Sequence, residues 1–121
     1  MQSSVPVHIY QDERGRLVTL FNQGEWKEVN YIETDANVER GNHYHTRLRE
    51  MVFMIEGEVQ VSIEHVQTGA KREITLRQGD MITIDPYELH TFRTQSRGSW
   101  LNFLSEPFDH NNPDVFRRDA I

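Results

Sequence analysis

The sequence predicts an all-β domain, a sandwich or barrel, and three observations carry that expectation. Short apolar/polar alternations dominate the chain. From Val59 to Ile63, for example, Val59, Val61 and Ile63 share one face while Gln60 and Ser62 share the other, the period of two that a half-buried strand requires. Turn residues punctuate these runs at 12–15, 22–24, 67–69, 78–80 and 96–98, and no long helical periodicity, low-complexity tract or fixed-period repeat competes with them.

Taken in order, strands are expected near 6–10 and 16–21, with the Asp12–Gly15 turn between them, and near 26–34 after Asn22–Gly24. The runs 50–56 and 58–66 flank Gly57, and Gln67–Gly69 separates the second from a strand near 71–76. Strands near 81–85, 89–95 and 99–105 follow, with turns at Gln78–Asp80 and Ser96–Gly98. Met51 to Ile55 is apolar at every position. Such a strand is covered on both faces, by the barrel interior and by a second layer. A subunit interface is a common source of that layer, so a homodimer is expected. The tail EPFDHNNPDVFRRDAI has turn chemistry. Pro113, suited to a first helical position, is expected to open a short last helix through Arg118, with Phe108, Val115 and Phe116 packed over the barrel.

A chain of 121 residues fits a single domain, 1–121, with one core. A net charge of −6 and a pI near 5.4 argue against nucleic acid or an anionic membrane as the main partner. Basic residues at Arg47, Arg49, Lys71, Arg72, Arg117 and Arg118 read as solvated surface. With no cysteine there is neither a disulfide framework nor a thiolate zinc site, which is compatible with a reducing cytoplasm. The start MQSSVPVHIY is neither a signal nor a transit peptide, and no apolar run approaches transmembrane length. The expectation is a soluble cytoplasmic protein.

The chemistry concentrates in GNHYHTRLREMVFMIEG, from Gly41 to Gly57, and in GDMITIDPYELH, from Gly79 to His90. His43 and His45, two apart on extended chain, point to one face. After four intervening residues Glu50 returns on a neighbouring strand, and His90 arrives from another strand pair. Three imidazoles and one carboxylate suit a divalent ion, Zn, Fe, Mn or Ni, with open positions for water or substrate. Glu50 is the least determined of the four. It serves as ligand, as a group that orients a histidine, or as partner to an arginine. His8, His65 and His110 lack such company and read as structural or solvated.

These residues resemble the two motifs of the cupin superfamily (RmlC-like jelly roll), G-x5-H-x-H-x3/4-E-x6-G and G-x5-P-x-G-x2-H-x3-N. His43, His45, Glu50 and Gly57 match the first, with Asn37 in place of its opening glycine; asparagine also tolerates positive φ. Gly79 and His90 match the second, with Pro86 one place late, Tyr87 for the inner glycine and Thr94 for the asparagine. The resemblance implies a double-stranded β-helix (cupin/jelly-roll) barrel. Thr83, Asp85, Phe92, Asn102 and Leu104 are candidate barrel-lining residues.

A narrower likeness rests on RGNHYH at Arg40–His45, Tyr31, ERG at Glu39–Gly41 and EPFDHNNPDVF. It is similar to the C-terminal zinc cupin domain of capsular-polysaccharide reductase/epimerases and to the sugar 3,4-ketoisomerases. The likeness implies an epimerase or ketoisomerase that enolises a nucleotide-linked keto-deoxysugar in polysaccharide biosynthesis, with zinc the foremost metal. It implies catalytic roles for Tyr31, Arg40, His43 and His45, and a metal set of His43, His45, Glu50 and His90. Tyr31 would return a proton, or else be a core aromatic with its hydroxyl at the rim. Arg40 would hold an anionic or carbonyl oxygen. If His43 and His45 bind metal, another group must be the base. An Fe(II) cupin dioxygenase and a non-catalytic sugar- or metabolite-binding cupin are the alternatives, because one fold hosts many activities.

Overall fold

The computed structural model describes residues 3–4 and 8–118, and among these none is helical. The strands are β1 Ser3–Ser4, β2 His8–Asp12, β3 Gly15–Thr19, β4 Glu28–Thr34, β5 Glu39–His43 and β6 Glu50–Glu56. They continue with β7 Glu58–His65, β8 Lys71–Arg77, β9 Met81–Ile84, β10 Glu88–Thr94 and β11 Gly98–Leu104. One sheet runs β1-β9-β6-β11-β4, a second β5-β10-β7-β8, and β2-β3 forms a separate hairpin. Neighbours in these sheets are antiparallel and mostly not consecutive in sequence, which is the jelly-roll arrangement.

The core lies between the two larger sheets. Val52 and Met54 of β6, Ile82 and Ile84 of β9 and Trp100 of β11 meet Val59, Val61 and Ile63 of β7, Leu76 of β8 and Phe92 of β10. As the alternation predicts, Val59, Val61 and Ile63 are buried while Gln60 is exposed. Gly57, between β6 and β7, has φ 84, and a Cβ there would come within 2.6 Å of the Arg97 carbonyl oxygen, so glycine is required at this turn. The doubly apolar strand β6 is covered on both sides. Met51 packs with Met81 and Phe103 on the outer face of the five-stranded sheet, together with Phe53, Leu101, Leu20, Phe21 and Trp26.

Three expectations need correction. The run 39–43 is a strand although ERGNH shows no apolar alternation; it forms by pairing with β10, His43 opposite His90 and Gly41 opposite Thr91. The runs 16–21 and 26–34 are shorter as strands, because Leu20, Phe21 and Trp26 leave the ladder to cover the outer face. Residues 6 and 7 of the first expected strand lie outside the described residues.

The tail forms no helix. Asp114 instead ties it to the loop before β6: Oδ1 accepts from the backbone N–H and hydroxyl of Thr46, and Oδ2 from the N–H groups of Arg47 and Leu48, at 2.8–3.0 Å. Phe116 and Tyr44 then exchange two backbone bonds at 2.9 Å, and their rings stack. Tertiary partners satisfy the backbone groups that a helix would have used. Among the basic residues, Arg47, Arg49, Lys71 and Arg118 make surface ion pairs, worth little each. Arg72 departs from the solvated reading, since its Nη2 is buried without a hydrogen-bond partner.

The donors around Asp114 have a consequence for acid stability. Burial alone would raise its carboxyl, but the N–H groups of Thr46, Leu48 and Arg47 hold it down at about 2, from the ordinary 3.8. The folded state therefore favours the charged form. That stabilisation is complete above 3.8 and is lost as pH falls through about 2. Asp114→Ala should cost about 2–4 kcal/mol at neutral pH and flatten the acid limb of the stability profile. Urea denaturation from neutral pH down through that range checks both.

Candidate functional site

Four groups predicted from spacing converge at one end of the barrel. β5 ends at His43, and His45 follows beyond the Tyr44 bridge. β6 begins with Glu50, between Ile84 and Leu104 on its neighbours. His90 on β10 lies between His43 and Ile63. The ring centroids of His43, His45 and His90 are 4.6–5.2 Å apart, and one nitrogen from each lies within 4.8 Å of the others.

The outer nitrogens of two rings are anchored. Nδ1–H of His45 donates to the Asp114 carbonyl at 2.6 Å, and Nδ1–H of His90 to the Glu88 carbonyl at 2.9 Å. A carbonyl only accepts, so these contacts assign the proton to Nδ1 and turn Nε2 inward. Nε2 of His45 is 3.1 Å from Glu50 Oε1, and Nε2 of His90 is 3.6 Å from the same oxygen. Glu50 thus stands beside two histidines rather than within the mutually close trio.

Glu50 Oε2 accepts from Asn102 Nδ2 at 2.5 Å, and Asn102 Oδ1 accepts from Asn30 Nδ2 at 3.1 Å. Asn30 also donates to Glu28 Oε2, whose other oxygen takes the Phe108 N–H. This polar chain ties the inner faces of β4 and β11 to the tail. Asn30 and Glu28 were not anticipated. Their signal was the parity of β4, in which Glu28, Asn30 and Ile32 alternate with Val29, Tyr31 and Glu33.

Charge in the cluster is divided. Burial, helped by repulsion from His90 and His45, lowers His43 to about 4, so its imidazole is neutral at neutral pH. Burial would lower His45 too, but its bonds to Glu50 and the Asp114 carbonyl outweigh that and raise it. Burial would raise Glu50, yet His90 and His45 pull it below the ordinary carboxyl range. Glu50 is therefore an ionised carboxylate, and His45, with an acceptor at each nitrogen, is set to carry a proton.

The cluster opens on a cavity of about 300 Å³. Its walls are mostly apolar, from Ile32, Leu48, Phe92, Trp100, Leu104, Phe108 and Val115, and its polar side chains are the three histidines, Glu50, Asn102 and Arg40. Arg40 donates through Nε to Thr34 Oγ1 at 2.8 Å and through Nη2 to the Glu33 carbonyl at 3.0 Å. No described carboxylate forms an ion pair with it. Phe92, Asn102 and Leu104 line the cavity as expected, whereas Thr83 and Asp85 do not. Tyr31 is not brought to the cavity: it is 58% exposed on the outer face of β4. His8 and His110 are exposed, and His65 accepts from the Gln67 and Thr68 N–H groups. The motif departures are accommodated by the backbone. Asn37 and Tyr87, where the motifs have glycine, take φ of 59 and 68, and Thr94 donates to the Asp35 carbonyl.

The donor from Asn102 is what keeps a buried carboxylate satisfied. Asn102→Leu should destabilise the fold by about 2 kcal/mol, because Glu50 Oε2 loses its partner. Adding Glu50→Leu should recover part of that loss. A thermal denaturation cycle on the two single variants and the double variant measures it.

No curated protein matches this sequence. Among solved structures the barrel is similar to capsular polysaccharide assembling protein CapF from Staphylococcus aureus, at 19% identity and a TM-score of 0.72 over 97% of this chain. It spans about a third of that protein, 35% of its length. It is also similar to a 3,4-ketoisomerase from Helicobacter canadensis, at 22% identity and a TM-score of 0.82, covering 98% of this chain and 92% of that one. The WlaRB TDP-quinovose 3,4-ketoisomerase from Campylobacter jejuni gives 24% and 0.81, covering 94% and 90%. These likenesses establish a shared jelly-roll fold of the cupin type. With the profile of the polysaccharide biosynthesis C-terminal domain matching residues 10–116, nearly the whole barrel, the chain belongs to that family.

Proposed function

We propose that this domain is an isomerase that enolises a nucleotide-linked keto-deoxysugar, as an epimerase or a 3,4-ketoisomerase. The observation that carries the reading is the ionised Glu50 beside His45 and His90 of a three-imidazole cluster, in an apolar cavity that also presents Arg40, with which no described carboxylate forms an ion pair. Support also comes from the ketoisomerases that share the fold, one of them named for TDP-quinovose.

We assign His43, His45 and His90 as the residues that hold a divalent metal, zinc foremost. The donor set fits. Three nitrogens lie within 4.8 Å of one another, and the backbone carbonyls of Asp114 and Glu88 hold the far nitrogens of two rings. A divalent ion held there would supply Lewis acidity toward a carbonyl oxygen.

The chain's own groups do the rest. Arg40, held by Thr34 and the Glu33 carbonyl, orients an anionic or carbonyl oxygen of the substrate. Phe92, Trp100 and Phe108 exclude water. Once His45 Nε2 no longer donates to it, Glu50 Oε1 is free to take the proton α to the ketone. The electron pair of that C–H bond moves into the enolate. Return of a proton to the opposite face of the same carbon gives an epimer; return to the neighbouring carbon gives the shifted ketone.

A second reading has its own observation. His45 has an acceptor at both nitrogens, and His43 is neutral at the cavity wall. Without metal, His43 is then the base and the His45–Glu50 pair the proton reservoir.

Enzyme-dependent deuterium incorporation from heavy water into a keto-sugar nucleotide is the expected result. Glu50→Gln should slow that exchange by about 10²–10⁴-fold while metal content is kept. His45→Ala should lose the metal. If protein prepared without chelator carries no metal and exchanges at full rate, the second reading holds. If no keto-sugar nucleotide exchanges and oxygen is consumed with another substrate, a dioxygenase replaces both. Ligand binding with neither exchange nor oxygen uptake leaves a binding module.

A further inference from the structure

β10 separates two cavities. Its His90 and Phe92 line the histidine cavity, while Leu89, Thr91 and Arg93 alternate onto the outer face of the four-stranded sheet. There they line a second cavity of about 330 Å³. That volume lies at the low end of the range for small-molecule sites, about 300–1,000 Å³, and suits one ring with its substituents.

The polar groups of this cavity form a row across three strands. Thr91 of β10 is the register partner of Ser62 on β7, and Ser62 that of Glu73 on β8. Neighbouring strands lie about 4.8 Å apart, so the two hydroxyls and the carboxylate follow one another at that spacing. Equatorial hydroxyls on alternate carbons of a pyranose ring share it. Arg93 fixes the row from the side: its Nη1 donates to Ser62 Oγ at 2.9 Å and its Nε to Glu39 Oε2 at 3.2 Å. Ser62 Oγ donates in turn to Glu73 Oε1 at 3.3 Å. These bonds leave Arg93 Nη2 as a donor and Glu73 Oε2 as an acceptor without a described partner. Thr91 is 5% exposed, and its hydroxyl bonds to no described residue. A hydroxyl buried in this way costs stability until something bonds it.

Charge selects among ligands. Lys71 stands against Glu64 at 3.9 Å, and Arg93 shares Ser62 with Glu73. Arg72 also borders the cavity, but it alternates inward with Ile74, which packs on the core. Equal numbers of each sign on this face favour neither a phosphate nor a metal cation. A neutral polyol both donates and accepts at every hydroxyl, and so matches a guanidinium, two hydroxyls and a carboxylate. Leu89 offers an apolar surface to the C–H face of a ring. We propose that this cavity is a saccharide site, which takes one neutral pyranose ring through Thr91, Ser62, Arg93 and Glu73. None of these four lines the histidine cavity, so the inference does not depend on the proposed chemistry.

Methyl β-glucopyranoside, whose ring substituents are all equatorial, is the probe. Titrated into isotope-labelled protein, it should move the amide resonances of Ser62, Glu73, Thr91 and Arg93 along saturating curves, with a dissociation constant of about 1–10 mM. Thr91→Val keeps the buried shape and should weaken binding about three- to tenfold. Glu73→Ala, at an exposed position, should weaken it by a similar factor, and both variants should keep the parent's dispersed spectrum. Shifts that stay linear, or that glycerol reproduces at the same molarity, overturn the site. So do shifts confined to Glu50, His90 and Asn102, which put the sugar in the histidine cavity, and so does parental affinity in both variants. Tighter binding of glucuronate or glucosamine than of the glucoside overturns the neutral class of ligand.

Discussion

Asp114 joins the tail, the loop before β6 and the histidine cluster in one residue. Its carboxylate satisfies the consecutive N–H groups of Thr46, Arg47 and Leu48, and its carbonyl receives Nδ1–H of His45. The loop so held places Glu50 at the first position of β6, and the same tail puts Val115 against the cavity. A short polar segment with no strand pattern thereby sets both the tautomer of a candidate ligand and one wall of the cavity. Charge-assisted bonds to backbone donors suit this role, because they are short and directional where apolar contacts are not.

A carboxylate buried beside two of the three imidazoles is costly in isolation. The structure offsets the cost with donors on each side: Asn102 on Oε2 and His45 on Oε1. Asn102 is in turn held by Asn30, and Asn30 by Glu28, so the satisfaction runs back along the inner face of β4. Environment then divides the imidazoles. His43 is desolvated into neutrality while His45 is drawn toward the charged form. Groups of one residue type whose affinities for a proton are pushed apart are the arrangement that proton-transfer chemistry uses.

The two faces of β6 show how one strand serves two purposes. Val52 and Met54 fill the core beside the cavity, while Met51 and Phe53 belong to the outer cluster. Tyr31 follows the same logic on β4. A strand's period of two puts Asn30 and Ile32 toward the inside, so Tyr31 must face outward whatever its chemistry.

The sequence by itself determined the fold class, most strand positions and the imidazole–carboxylate set. These depend on local period, turn residues and short spacings, and a residue two along a strand shares a face regardless of context. His43, His45, Glu50 and His90 were legible for that reason; the positive φ at Asn37 was legible only through the likeness to the cupin motif, whose opening glycine it replaces. The tertiary structure alone decided what depends on distant partners. β5 has no apolar alternation and exists through its ladder with β10. The tail is extended rather than helical because Asp114 and Phe116 find backbone partners about seventy residues away in sequence. Asn30 joined the site, and Tyr31 left it, through the register of β4 against β11, which assigns each residue of the strand to the cavity or to the outer face.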